Sequence, residues 1–264
     1  MRLSIQHKTR FTYGEAAQYA LLQLRVRPMD SPSQTVRNWT LSLDGAVHQA
    51  EFFDQYGTAT DLITFDRGVQ AVDIHVVGEV ETFETAGVMQ SREGPLPLWY
   101  YLKTTHLTQP SDAILSLSEP LEQNDRLACL HGLSDAIRDS VTYETGTTLT
   151  TTPASEAMAM GRGVCQDHSH IFLSAARALG IPARYVSGYL MMDDRADQDA
   201  SHAWVEAFVP DLGWLGLDIS NGISPDERYV KIAHGLDYAD CAPTRGVLIG
   251  SMREQLAVSI QVQQ

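Results

Sequence analysis

Three residues that could perform nucleophilic catalysis occur in the order Cys165, His202, Asp218. Cys165 follows a glycine-rich turn and opens an apolar helical pattern that Gly180 closes, so we expect its thiol at a helix N-terminus. Backbone N–H groups and the positive end of the helix dipole stabilise a thiolate there. An imidazole that accepts the thiol proton, itself oriented by a carboxylate, would complete a nucleophile.

The other two cysteines provide a contrast. A single cysteine on a helix is more often a small apolar core residue than a nucleophile. Cys165 departs from this expectation because Gly161 and Gly163 permit close backbone approach, and because the histidine and the aspartate follow on strand patterns. Cys129 lies on or beside a helical apolar pattern, which predicts a buried structural thiol. Cys241 has no catalytic surroundings.

Longer motifs surround the three residues. Cys165 lies in Gly-Val-Cys-Gln-Asp, and the helix that follows ends before Gly-Ile-Pro-Ala-Arg-Tyr-Val-Ser-Gly-Tyr. His202 lies in Ser-His-Ala-Trp-Val-Glu, and Asp218 ends Gly-Trp-Leu-Gly-Leu-Asp. In this order the motifs resemble the bacterial branch of the transglutaminase-like superfamily of cysteine enzymes. The resemblance implies that Cys165 is the nucleophile, His202 the base and Asp218 the residue that orients the base.

The resemblance extends to the N-terminal segment around residues 7–13 and 24–28, which is similar to the β-rich domain that precedes the bacterial catalytic core. Short strand patterns separated by turn signals predict an antiparallel sandwich over residues 1–84. Residues 85–110 carry repeated glycine and proline with little periodicity and read as a linker. We therefore predict a β-rich domain over 1–84, a linker over 85–110 and a catalytic domain over 111–264.

The predicted fold class is α+β. The N-terminal antiparallel β-sandwich is followed by a papain-like, transglutaminase-like core, in which the helix that begins at Cys165 packs on an antiparallel sheet that carries His202 and Asp218.

Some positions depart from the usual family pattern. The family usually reads Asp-Pro-Thr-Asn where this chain reads Asp218-Ile219-Ser220-Asn221. His168 and Cys241 stand where apolar residues are commoner. None of these differences removes a triad residue, so they concern the shape of the substrate pocket.

Composition limits the range of partners. The 264 residues carry a formal net charge of −14, which argues against binding to nucleic acid or to an anionic membrane, since both require a basic surface. No window approaches the length of a membrane span or of a signal peptide, and the odd number of cysteines fits a reducing compartment. We expect a cytoplasmic protein whose partner is a peptide or protein substrate.

A metal site is not predicted. His168 and His170 follow Cys165 and Asp167 closely, but residues two apart on a helix point in nearly opposite directions. No paired cysteine or histidine motif elsewhere completes a tetrahedral site. We predict neither a metal nor a cofactor.

The expected chemistry is attack of the Cys165 thiolate on a carboxamide or peptide carbonyl, giving a thioester. The Cys165 N–H is the natural first donor to the oxyanion, and Tyr143 and Gln166 are candidates for the second. Family breadth favours a peptidase or amidohydrolase over a protein-glutamine transglutaminase. A catalytically silent peptide-binding module and a thiol redox protein are further alternatives, and the absence of a Cys-x-x-Cys motif disfavours the redox protein.

Two finer predictions concern strand positions. The acidic run 193–199 precedes His202 and is either a solvated loop or a rim that favours basic substrates. His202 and Asp218 can cooperate only if their side chains share one face of a hairpin, and side chains alternate faces along a strand. We therefore predict a register that places His202 opposite Ser220, through a three- or five-residue loop or a bulge.

Overall fold

A computed structural model describes residues 1–89, 95–122, 124–193, 195–250 and 254–264. Residues 90–94 of the predicted linker and Asp194 of the acidic run lie outside the described residues. Strands β1 to β6 are Arg2–Tyr13, Tyr19–Leu24, Gln34–Asp44, Ala46–Phe53, Ala59–Phe65 and Ala71–Thr82. Strands β7 to β16 are Val88–Met89, Thr142–Tyr143, Arg162–Gly163, Ala183–Leu190, Asp197–Gln198, His202–Val209, Gly213–Leu217, Tyr229–Gly235, Thr244–Ile249 and Glu254–Gln263.

Helices are fewer than strands in the described ranges. Helices α1 to α5 are Asp112–Ser116, Arg126–Ser140, Ala154–Met160, Cys165–Ala178 and Tyr238–Cys241. Two short 3₁₀ turns lie at Leu98–Leu102 and His106–Thr108. No helix in the described part of the chain is both long and apolar enough to cross a membrane. The predicted α+β fold class is confirmed.

The N-terminal region consists of two antiparallel sheets that face each other. Their strand orders are β11-β16-β1-β6-β3 and β15-β2-β5-β4. Strand β1 buries every second residue along its length, because side chains of a strand alternate between the core and solvent. The core between the sheets includes Phe11, Leu24, Ile63 and Ile74. The sandwich predicted for this region is therefore present.

The last two strands of the chain also belong to these sheets. Strand β16 pairs with β1, and β15 pairs with β2. Both strands fall within the range 111–264 that the sequence assigns to the catalytic domain. Strand composition carries no information about the sheet that a strand joins, so the division of the chain at residues 84 and 110 stays a prediction.

The second region is a helix packed on a five-stranded sheet with the order β14-β10-β12-β13-β7. Helix α4 is buried from Gln166 to Arg177. It packs on Ala203, Val205 and Ala207, which form one face of β12. The helix begins where Val164 is extended and the Asp167 carboxylate accepts the Val164 N–H at 2.8 Å. This packing holds Cys165 at the end of the sheet where β12 begins.

The hairpin between β12 and β13 has the predicted register. Val209 pairs with Gly213 and Glu206 pairs with Gly216, so the loop consists of three residues, Pro210 to Leu212. Asp211 adopts a left-handed conformation with φ of 67° to close it. Continued along the strands, this register places His202 opposite Ser220. The predicted three-residue loop and the register of the paired residues are confirmed, while the ladder itself ends at Val205 and Leu217, before His202 and Ser220.

Candidate active site

Cys165 is the first residue of α4 and is half-buried. The preceding turn requires glycine at two positions. Gly161 ends α3 with φ of 63°, and a Cβ on Gly163 would lie 2.7 Å from the Asp167 carboxylate oxygen. Glycine therefore allows the chain to turn into the helix and leaves the thiol at the positive end of its dipole.

His202 is the first residue of β12 and is 7% exposed. Its Nε2 lies 2.6 Å from Asp218 Oδ2, and His202 lines the same cavity as Cys165. Because Asp218 occupies Nε2, Nδ1 is the nitrogen that remains for the sulfur. Burial alone lowers the pKa of His202, but the negative charge of Cys165 and the hydrogen bond to Asp218 raise it to about 10. This environment favours the protonated imidazolium form of His202 at neutral pH.

Asp218 is held by more than the histidine. Its Oδ2 also accepts from Asn221 Nδ2 and from the Tyr229 hydroxyl, both at 2.7 Å, and its Oδ1 accepts the Asn221 N–H at 3.2 Å. Burial favours the neutral acid, but the hydrogen bonds from His202, Tyr229 and Asn221 and the histidine charge lower the pKa of Asp218. The carboxylate therefore stays ionised and fixed.

Sequence reasoning did not identify Asn221 or Tyr229 as site residues. Asn221 had a local signal, because an Asp side chain commonly accepts an N–H a few residues later in a turn. Tyr229 had none, since it reaches Asp218 from β14, at the far edge of the sheet.

Two cavities meet at His202. One, of about 390 Å³, is lined by Cys165 and Gln166 together with Tyr185 and Tyr238. The other, of about 690 Å³, is bordered by residues that include Leu190, Met191, Ser220, Asn221, Arg228 and Tyr229. Tyr143, Met192, Arg195 and His202 line both. The described surface thus gives a substrate access to the sulfur and to the imidazole.

The two candidate oxyanion donors occupy different positions. The Gln166 side chain is buried, and its Nε2 donates to the carbonyl oxygen of Thr150 at 2.9 Å. Tyr143 pairs with Gly163 in a short parallel bridge and lines both cavities. Burial and the negative charges of Cys165 and Asp218 raise the pKa of Tyr143. Its hydroxyl therefore keeps its proton and can donate a hydrogen bond.

The remaining cysteines and histidines near the site have structural contacts. Cys129 and Cys241 are buried, and burial raises the pKa of each thiol. His168 is hydrogen-bonded through both ring nitrogens. His170 Nε2 accepts the Tyr238 N–H at 3.2 Å. Within the described ranges, no three histidine, cysteine or acidic side chains are grouped as metal ligands would be.

The acidic run contributes to the Cys165 cavity. Asp197 and Asp199 line it together with Arg195. The Asp197 carboxylate accepts from Gln261 Nε2 at 2.7 Å. This rim carries charges of both signs, so it does not by itself select a basic substrate.

A cysteine-bearing helix packed on an antiparallel sheet, with a β-sandwich region before it, is the arrangement of the transglutaminase-like fold. Residues 116–219 match the family described as the transglutaminase-like superfamily, and residues 3–81 match the bacterial transglutaminase-like N-terminal region. The chain belongs to the transglutaminase-like superfamily.

The chain is also similar to individual proteins. An uncharacterized Mycobacterium leprae protein, ML0607, is 28% identical over 99% of this chain and 98% of its own length. A protein-glutamine gamma-glutamyltransferase of Pseudomonas aeruginosa is 33% identical over 84 residues, which are 29% of this chain and 12% of that protein. A candidate cysteine protease from Cytophaga hutchinsonii superposes with a TM-score of 0.74 at 18% identity, over 100% of this chain and 98% of that one.

Proposed function

We propose that this protein is a cysteine amidohydrolase that cleaves a peptide or carboxamide bond through Cys165, His202 and Asp218. One observation supports this most strongly: Cys165, at a helix N-terminus, lines one cavity with a buried imidazole whose Nε2 lies 2.6 Å from a carboxylate. A nucleophile, a base and the group that orients the base are thereby brought together beside an open cavity.

In the first half-reaction the Cys165 thiol proton passes to His202 Nδ1, and the thiolate attacks the substrate carbonyl carbon. The oxygen becomes an oxyanion as the carbonyl π bond breaks. Collapse of this intermediate breaks the C–N bond, and the imidazolium gives its proton to the departing amine or ammonia. A thioester on Cys165 remains. Asp218 keeps Nε2 engaged throughout, which fixes the tautomer and the ring orientation.

Water completes the reaction. His202 takes a proton from water as its oxygen attacks the thioester carbonyl. The C–S bond then breaks, a carboxylic acid is released and the thiolate–imidazolium pair returns.

The oxyanion requires donors that are in place before it forms. The backbone N–H of Cys165, in the first turn of α4, is one. We assign the second to the Tyr143 hydroxyl, because Tyr143 lines the cavities of both Cys165 and His202 while the Gln166 amide is already bonded to Thr150.

Amine transfer is the second candidate function. The similarity to the Pseudomonas protein-glutamine gamma-glutamyltransferase over 84 residues favours it. The chemistry differs only in the acceptor, since a primary amine would replace water in the attack on the thioester. A silent binding module is disfavoured, because it would not require a cavity-facing thiol beside an imidazole that is bonded to a buried carboxylate.

The deciding experiment incubates the protein with a library of N-blocked, glutamine-containing peptides, with and without a primary amine, and identifies products by mass spectrometry. Cleaved or deamidated peptides in both arms are the expected result. Amine adducts in place of hydrolysis products would identify an acyl transferase. C165A removes the proposed nucleophile, and C129A is the matched control that removes a thiol outside the site. Turnover retained by C165A would contradict the proposal.

A further inference from the structure

His168 lies one helical turn after Cys165 on α4 and is 1% exposed. Its Nδ1 is 2.8 Å from Ser220 Oγ, and its Nε2 is 3.0 Å from the carbonyl oxygen of Val141. A carbonyl oxygen can only accept, so Nε2 carries the hydrogen and Nδ1 accepts from the Ser220 hydroxyl. Burial lowers the pKa of His168, which favours this neutral ring.

The elements that His168 joins each carry part of the proposed catalytic machinery. Its own helix begins with Cys165. The serine that it binds lies two residues after Asp218, and the carbonyl that it binds lies two residues before Tyr143. The Tyr143 ring also contacts the His168 ring, with the centroids 6.2 Å apart. One buried side chain therefore contacts the three segments that carry the nucleophile, the orienting carboxylate and the proposed oxyanion donor.

Asp218 depends on such a support because it lies at the end of a strand. The β12–β13 ladder ends at Val205 and Leu217. Beyond it, the Asp218 turn is closed by local hydrogen bonds to Gly222 and Ile223. These local bonds shape the turn but do not fix its distance from α4. The hydrogen bond between His168 and Ser220 joins the turn directly to α4, beside the packing of Ile219 in the core.

We propose that His168 is a positioning residue that, through Ser220, sets the Asp218 turn against the helix of Cys165. This inference rests on the proposed function and adds a determinant to it. Both partners depart from the usual family pattern, since His168 stands where an apolar residue is commoner and Ser220 replaces threonine. The two departures are in contact.

Three variants test the link. H168L removes both hydrogen bonds and introduces an apolar residue, the residue type that is commoner at this position in the family. S220A removes one hydroxyl, and S220T keeps it. Ser220 is half-buried and borders the 690 Å³ cavity, so the added methyl group has room. The readouts are the rate constant for alkylation of Cys165 by iodoacetamide at pH 6, which requires no substrate, and kcat and KM on a peptide identified by the library.

We expect H168L and S220A to lower kcat by about 10- to 100-fold, the size of effect that a small misplacement of catalytic groups produces. KM should change little, because the link orients the triad and does not hold the substrate. Alkylation of Cys165 should slow in the same variants, and S220T should retain parental rates. The double variant H168L/S220A should be no worse than H168L, because both changes break one contact.

His7 provides a matched control. It is 3% exposed, and its ring nitrogens bind the Tyr189 hydroxyl at 2.9 Å and Thr9 Oγ1 at 3.0 Å. It lies on β1 and binds β10 of the catalytic sheet through Tyr189, and neither residue lines the two cavities beside His202. H7L also deletes a buried, doubly bonded imidazole, so it should lower the thermal midpoint and leave alkylation and kcat at parental values.

The outcomes are separable. Parental values of kcat and of the alkylation rate constant in both H168L and S220A would overturn the inference. It would also be overturned if H7L showed the same losses as these variants at an equal thermal midpoint. If H168L does not fold, S220A and S220T decide alone. A parent protein in which Cys165 is alkylated no faster than Cys129 would instead contradict the proposed function. Fast labelling of Cys165 in the parent, together with parental kcat and alkylation rates in H168L and S220A, would contradict only the role of His168.

Discussion

Strand β12 carries two buried polar clusters on one face, at His202 and at Glu206. The Glu206 carboxylate binds Arg184 Nε at 2.5 Å and Lys231 Nζ at 2.7 Å, and the Arg184 guanidinium lies 4.1 Å from the Trp214 ring centroid. The adjacent cavity holds only about 30 Å³. Every charge in this cluster has a partner of opposite sign or an aromatic face, and little space remains for a ligand.

The His202 cluster differs in one respect. Its carboxylate is as fully bonded as that of Glu206, but the imidazole borders two cavities, one of which Cys165 also lines. Both clusters shift pKa values strongly: to about 2 for Glu206 and to about 10 for His202. A shifted pKa therefore does not distinguish a catalytic group from a structural one. An incompletely bonded group beside open space does.

The largest effect should follow from removing the base. H202A should reduce kcat/KM by about 10⁶-fold, whereas D218N should lose about 10⁴-fold, because the asparagine keeps the shape of the site but holds the wrong tautomer. Steady-state kinetics on a verified substrate measure both losses. A D218N variant of full activity would remove Asp218 from the triad and leave the two clusters of β12 indistinguishable.

The opposite response is expected at Glu206. E206Q leaves Arg184 and Lys231 as buried positive charges, so it should lower the free energy of unfolding by about 3–5 kcal/mol. Alkylation of Cys165 in the folded protein should keep its parental rate constant. Denaturant melts and labelling in the absence of denaturant measure the two quantities. Loss of Cys165 labelling at an unchanged free energy of unfolding would give Glu206 a catalytic role and contradict the distinction between the His202 and Glu206 clusters.

The same cluster predicts a pH dependence. Burial raises the pKa of Glu206, but the charges of Arg184 and Lys231 outweigh it and lower the pKa from its ordinary 4.5 to about 2. A group with a lowered folded-state pKa contributes stability above its ordinary value and loses it as the pH falls toward the folded value. The parent should therefore lose more stability than E206Q between pH 4.5 and pH 2. If urea melts showed equal losses of stability in the parent and in E206Q, Glu206 would be excluded as a source of the pH dependence.

A smaller effect should appear at Tyr143. Y143F removes one oxyanion donor and should lower kcat by about 10²-fold, the lower end for loss of such a donor. Iodoacetamide forms no oxyanion, so alkylation of Cys165 should not change. A Y143F variant with parental kcat would return the second donor to Gln166 or to another group.

Local patterns predicted much of the site. The glycine turn and the helical periodicity predicted a helix that begins at Cys165, and strand composition predicted a strand at His202, as the structure has them. The β12–β13 register could be predicted because a strand has only two faces, so the need for His202 and Asp218 to meet excluded the alternative alignment.

Other features depend on contacts between distant parts of the chain. Strands β14, β15 and β16 were not predicted, and Tyr229 therefore was not expected to bond Asp218. Strand β16 pairs with β1 from the opposite end of the chain, and alternation within one strand does not encode its partner. His168 was recognised as a departure from the family pattern, but its contact with Ser220 exists only in the folded structure.

The central claim is that Cys165 is activated by His202. Iodoacetamide labelling at pH 6, with the modified cysteines identified by mass spectrometry, tests it most directly. Cys165 should be labelled first, Cys129 and Cys241 should react slowly because they are buried, and H202A should slow Cys165 strongly. Earlier labelling of Cys129 or Cys241, or a Cys165 rate that H202A leaves unchanged, would contradict the account.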